Sequence, residues 1–183
     1  METTSHLVTR AQAGDAAAFG ELIAQHERAA LALAYATVRE ASTAGDVVQD
    51  AFLRAWQKIG ELQDAGRFGA WLGRIVRNMA TDAVRRGPRP TESLDDDRHA
   101  ATTRGTAPAA DEHRERRELR QSIDAALATL DELSRCAVVL RYFEDLSSKE
   151  IGDLLDLSPA AVDMRLSRAR TQLRERMSEY VNT

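Results

Sequence analysis

The sequence predicts an all-α protein made of two small helical domains joined by a flexible linker, the C-terminal one a helix-turn-helix. Three observations predict it. Aromatics make up only 5% of the 183 residues while alanine and leucine dominate, a composition that favours helices over sheets. Apolar residues recur at helical spacing in both halves of the chain. Between the halves the chain reads GPRPTESLDDDRHAATTRGTAPAADEHR from Gly87 to Arg114, with three of the four prolines and almost no large apolar side chain. Such a segment buries too little surface to offset the entropy of ordering it. It reads as a linker of roughly 25–30 residues with a mean reach near ~30 Å. The expected division is residues 1–86, a linker over 87–115, and residues 116–183.

In the N-terminal half Asp15 caps a helix entering at Ala16, with Phe19, Leu22, Ile23 and His26 on one face. The run ALALAYATV continues it as a buried helix. A third helix starts near Thr43 or Ala44, and Val47, Val48, Ala51, Phe52, Ala55, Trp56 and Ile59 form its apolar stripe. A loop, GELQDAG, spans Gly60 to Gly66. The fourth helix runs from Arg67 to Arg86 with Phe68, Trp71, Leu72, Ile75, Val76, Met79, Ala80 and Ala83 inward. In the C-terminal half Leu119, Ile123, Ala126, Leu127 and Leu130 mark one helix, and Cys136, Ala137, Val138, Leu140 and Tyr142 lie in the next. Ser147 with Glu150 three residues on is a capping box for a short helix ending near Leu155. Ser158 then caps the last helix, Pro159 occupies its first position, and Val162, Leu166, Ala169, Leu173 and Met177 face the core. A short helix, a tight turn and a longer helix make a helix-turn-helix, whose second helix enters the DNA major groove.

The formal net charge is -4, which argues against a protein that coats nucleic acid indiscriminately. Phosphate attraction acts within about a Debye length, so local clusters count for more than the sum. Two helices carry such clusters. The last one holds Arg165, Arg168, Arg170, Arg174 and Arg176, with Asp163 near its front. Arginine's planar fork grips a phosphate or a guanine edge. The helix Arg67–Arg86 carries Arg67, Arg74, Arg77, Arg85 and Arg86, opposed only by Asp82 and interleaved with Trp71 and Asn78. Trp71 falls on the apolar stripe and reads as core, whereas Asn78 lies off it, where an amide can meet an unpaired base. The third helix turns Asp46, Gln49, Asp50 and Arg54 outward beside a wide apolar stripe, wide enough to serve a partner helix as well as the core.

Signs of catalysis are absent. His6, His26, His99 and His113 have no zinc-binding spacing to one another or to Cys136, and there is no phosphate loop or nucleophile elbow. Asp95, Asp96 and Asp97 fall in the linker, where no catalytic geometry can be held. No catalytic residue, metal or cofactor is expected. No window approaches the length of a membrane span, and METTSHLVTRAQAGD has no secretory pattern, so a cytoplasmic protein without membrane insertion is expected. Cys136, the single cysteine, is expected to be a small buried hydrophobe.

Four stretches together resemble the extracytoplasmic-function (ECF) sigma factors of the sigma-70 family: DVVQDAFLRAWQKI, FGAWLGRIVRNMATDAVRR, LRYFEDLSSKEIGDLL and SPAAVDMRLSRARTQLR. The resemblance covers both domains in order. It implies a promoter-specificity subunit of bacterial RNA polymerase, whose N-terminal domain melts and reads the −10 element and whose helix-turn-helix reads the −35 element. It implies core-polymerase contacts with the β′ clamp helices through Asp46, Val47, Gln49, Asp50, Phe52, Leu53 and Trp56, and with the β flap. It places Leu62, Arg67, Arg74, Arg77, Asn78, Arg85 and Arg86 at the −10 DNA, with the Gly60–Gly66 loop and Asn78 at a pocket for a flipped base. It places Ser158, Asp163, Met164, Arg165, Ser167, Arg168 and Arg170 at the −35 DNA. Partners implied are core RNA polymerase, promoter DNA and an anti-sigma factor. Asp163 and Met164 stand where many relatives carry a basic and a small polar residue; an aspartate there accepts from a cytosine amino group. A −35 preference unlike the family's commonest one is therefore expected.

Overall fold

A computed structural model describes residues 3–87, 118–119 and 121–181, with backbone alone from residue 177 onward. The predicted linker, apart from Gly87, lies outside the described residues. The elements are α1 (Thr4–Gln12), α2 (Ala16–Val38), α3 (Ala41–Lys58), two 3-10 turns (Ile59–Glu61 and Ala65–Arg67), α4 (Phe68–Arg86), α5 (residues 121–128), α6 (Glu132–Phe143), α7 (Ser148–Leu155) and α8 (Pro159–Val181). No strand occurs among the described residues, as the composition predicts.

α2, α3, α6, α7 and α8 start where a side chain satisfies free N–H groups, whereas α1 and α4 have no side-chain cap hydrogen bond. Asp15 accepts from Ala17 N at 3.0 Å and Ala18 N at 3.1 Å, and Arg10 pins it at 2.6 Å. Arg10 and those backbone bonds hold its carboxyl below the usual range. Two features differ from expectation. α1 was not predicted; it buries Leu7, Val8 and Ala11 across the N-terminal bundle. α3 begins at Ala41, earlier than Thr43 or Ala44, because Arg39 turns left-handed at φ 59° and Glu40 caps the helix. Glu40 accepts from Ser42 N at 2.7 Å and Thr43 N at 2.6 Å. Burial works against its charge, but the Thr43 and Ser42 hydrogen bonds prevail and bring its pKa down to about 2.

In the C-terminal half Asp131 caps α6, accepting from Ser134 N at 3.1 Å, and the predicted Ser147/Glu150 capping box of α7 is complete. α7 ends at Asp156 in the left-handed region, φ 59°. A Cβ at Gly152 would stand 2.5 Å from Leu157 O, so the turn of the helix-turn-helix closes only over glycine. Ser158 Oγ accepts from Ala161 N at 3.2 Å and starts α8.

The two halves do not stand apart. α6 packs on α2 and α7 packs on α4, so the buried residues of both halves form one continuous apolar cluster. Arg135 Nε donates to Ala36 O at 2.5 Å across the junction, and Arg28 pairs with Glu144 at 3.1 Å. Leu154 of α7 lies over Gly69 and Gly73 of α4. Long-range packing of this kind leaves no local period in the sequence.

Candidate nucleic-acid interface

The structure brings one group of predicted residues together. A cavity of about 470 Å³ is lined by Glu61, Leu62, Gln63, Asp64, Arg67, Ala70, Trp71, Arg74, Arg77 and Asp156. The 3-10 turns form one wall, and the first turns of α4 form the other. Gln12 shapes the loop from behind, donating to Ile59 O at 3.0 Å and Leu62 O at 2.8 Å. Sequence reasoning missed this role because it missed α1. The Arg77 Nε is buried without a hydrogen-bond partner among the described residues. Trp71, expected in the core, is half-buried. Its ring tilts against Phe68 at 6.0 Å between centroids while lining the cavity. An arginine-rimmed cleft with an aromatic wall can stack a base and hold its phosphates.

Other predicted residues fall outside this cavity. Leu62 lines it but is 8% exposed, so it shapes the wall more than it presents a reading group. Asn78 is exposed on α4 and does not line the cavity. Arg85 and Arg86 lie further along α4; Arg85 pairs with Asp82 at 3.1 Å, and Arg86 Nε donates to Asp82 O at 3.1 Å.

The second surface is the outer face of α8. Ser167, Arg168 and Arg170 are exposed, as is Met164 at 51%. Arg168 and Arg170 form no ion pair with any described residue. Arg165 differs from them. It reaches across the domain to Asp131 at 3.0 Å, and from there to Ser134 Oγ at 3.4 Å. Asp163 is also engaged: Arg141 donates to Ser148 Oγ, whose hydroxyl donates to the Asp163 carboxylate. This relay ties α6, α7 and α8 together, and no local pattern of residues announces it. The Asp163 side chain is still 65% exposed, so one network both braces the domain and faces outward.

The third predicted group divides in two. Asp46, Gln49, Asp50 and Leu53 form an exposed strip on α3, Leu53 being 57% exposed. Val47 and Phe52, each 6% exposed, lie inside the domain's own core. Trp56 is half-buried against Phe19, ring centroids 5.0 Å apart. The strip is open to a partner and Trp56 is open in part, whereas Val47 and Phe52 are not. Burial pushes the Cys136 thiol up to about 12, so it is inert at neutral pH.

Comparisons with known proteins agree with this layout. The sigma-70 region 2 family model matches residues 22–89, and the sigma-70 region 4 model matches residues 120–173. The chain is 35% identical over 175 residues to the RNA polymerase sigma-H factor of Pseudomonas aeruginosa, covering 92% of this chain and 91% of that protein. It belongs to the sigma-70 family of RNA polymerase sigma factors. It is also 32% identical over 179 residues to a Xanthomonas campestris protein named "Probable RNA polymerase sigma factor RfaY"; that match covers 97% of this chain but only 45% of its relative's length. The solved structure of CnrH in complex with the cytosolic domain of CnrY superposes with a TM-score of 0.68 at 30% identity, covering 97% of this chain and 99% of that one.

As a sigma factor the chain serves promoter-specific initiation by RNA polymerase. The α3 strip and, apart from Asp156, the cavity lining lie in sigma region 2, and the helix-turn-helix lies in region 4. No described helix is long and apolar enough to cross a membrane.

Proposed function

We propose that sigma region 2 of this protein opens and reads the −10 element through the cleft beside Trp71, while α8 reads the −35 element in the major groove. The observation that carries the reading is the pairing of two separate arginine surfaces, one a cleft suited to an unstacked base and the other the exposed face of a helix-turn-helix. The division of the chain into a region 2 domain over 1–86, a linker over 87–115 and a region 4 domain over 116–183 belongs to the same reading. In it, Asp46, Gln49, Asp50 and Leu53 dock on the β′ clamp helices. Tyr142 and Phe143, 56% and 61% exposed at the end of α6, give region 4 an apolar patch for the β flap. The protein works in the cytoplasm, where the polymerase is. An anti-sigma factor is part of the proposal, supported by the likeness to CnrH, which was solved with CnrY.

The test is run-off transcription with core polymerase on a randomised promoter library, followed by sequencing of the selected templates. Enrichment of paired −10 and −35 elements, lost with the Leu53→Asp variant, is expected. A library that emerges unenriched overturns the reading.

A further inference from the structure

α1 precedes the residues matched by the sigma region 2 model, which begin at 22, yet it packs along both 3-10 turns of the cleft wall. Near its start it meets the second turn: a Cβ on Gly66 would stand 3.8 Å from Ser5 Oγ. Its last residue, Gln12, meets the first turn. The Gln12 side-chain amide has two N–H groups, and the loop takes both, Ile59 O at 3.0 Å and Leu62 O at 2.8 Å. Ile59 O also accepts from Leu62 N at 3.1 Å, so the amide closes on a formed turn and fixes where it leads. The anchor is itself held. Leu7, Val8 and Ala11 are buried, and Arg10 pairs with Asp15 at 2.6 Å just past the helix end.

The turn leads to Gln63. Four consecutive loop residues line the cleft, and three of them are apolar or engaged. Leu62 is 8% exposed, Glu61 pairs with Lys58 at 3.2 Å, and Asp64 accepts from Gly66 N at 2.9 Å. Gln63 is exposed, and its side-chain amide has no hydrogen-bond partner among the described residues. An amide both donates and accepts, so it can pair with the edge of an unstacked base. We infer that Gln12 is a positioning residue for −10 recognition: by holding the Ile59 and Leu62 carbonyls it presents the Gln63 amide to the base in the cleft. The inference rests on the proposed role of the cleft in −10 recognition and adds the residue that discriminates among bases there and the residue that aims it. Such a contact must be held to within about 0.5 Å. Phosphate contacts position the DNA and base contacts specify it. Loss of the brace therefore lowers selectivity at one −10 position and leaves the arginine contacts and the −35 element as they are.

Three substitutions at Gln12 isolate the brace. Gln12→Glu keeps the shape and removes both donors. Gln12→Ala removes them without adding charge and improves helix propensity. Gln12→Lys keeps donors for the two carbonyls. The readout is run-off transcription by the polymerase holoenzyme on a randomised promoter library, with base preference taken position by position. Gln12→Glu and Gln12→Ala should each lower the preference at one −10 position by about tenfold, within what a single bidentate contact to a base discriminates. The −35 preference should hold, and Gln12→Lys should keep the native −10 preference. Gln63→Ala should lower the preference at that same position. Gln12→Ala and Gln63→Ala combined should lower it no further than either alone, because both remove one contact. An unchanged −10 preference in Gln12→Glu and Gln12→Ala overturns the inference. A loss spread alike over both elements, as from a merely structural brace, also overturns it, and so does a double variant whose losses add. If the native holoenzyme selects no −10 element, the functional proposal falls and the inference with it; native selection with unaltered variants removes the inference alone.

Discussion

Arginines on one helix are not equivalent. Arg165 is drawn to Asp131 at 3.0 Å, while Arg168 and Arg170 are exposed. Each phosphate neutralised steepens the fall of log affinity with log salt by about 0.9. Arg168→Ala and Arg170→Ala in the polymerase holoenzyme should each reduce that slope by about 1 for promoter binding. Arg165→Ala should leave the slope nearly unchanged and lower the melting temperature instead, because it leaves the Asp131 cap without its cation. A salt titration followed by a thermal melt checks all three. Asp163 calls for a paired test, since its carboxylate accepts from Ser148. Ser148→Ala removes the brace and keeps the acid; Asp163→Arg removes both. If Asp163 reads a base, promoter selection should move the −35 preference with Asp163→Arg and hold it with Ser148→Ala. If both variants shift it alike, Asp163 acts by positioning α8.

At the scale of the element, α7 is held by local chemistry. It has only eight residues, too few to persist alone in water. Its capping box and its packing under α8 and on α4 keep it folded. Ser147→Ala should destabilise the protein by about 1 kcal/mol, read as a lower midpoint in denaturant with the slope unchanged. This element was legible in the sequence because its signals are local: Ser147, Glu150 and the Ile151, Leu154, Leu155 spacing. α1 carried a comparable signal in Leu7, Val8 and Ala11, but a short segment with no side-chain cap hydrogen bond announces itself weakly. The early start of α3 was hidden because Glu40 is an unusual cap, and its two backbone bonds become visible only once Arg39 has turned. In the candidate site, the arginines of α4 and α8 were legible as clusters. Which of them are free was not, because Asp131 and Asp82 reach them from another element or another turn.

For the whole molecule, the packing of α6 on α2 and of α7 on α4 joins both halves in one compact state. The same compact state carries a pH dependence. His26 is largely buried against Phe68, ring centroids 5.2 Å apart, with Nε2 unpartnered among the described residues. Burial lowers its pKa below the usual 6.5, so it is neutral in the folded chain. Below about pH 6.5 the unfolded chain takes up a proton that the folded chain refuses, so stability is present above that value and is lost as the pH falls toward the folded pKa. A second loss follows at lower pH. Glu40, with a folded pKa of about 2 against a usual 4.5, and the lowered carboxyls of Asp15, Asp131 and Glu150 stabilise the fold only above their unfolded values. Two windows of acid loss should therefore appear, and only the upper one belongs to His26. His26→Phe keeps an aromatic ring against Phe68 and removes the titration. Denaturant unfolding at a series of pH values should show native stability falling as the pH drops below about 6.5 while the variant holds there, with both losing stability alike below the usual carboxylate value of 4.5. Parallel curves across the upper window would assign that loss to another group.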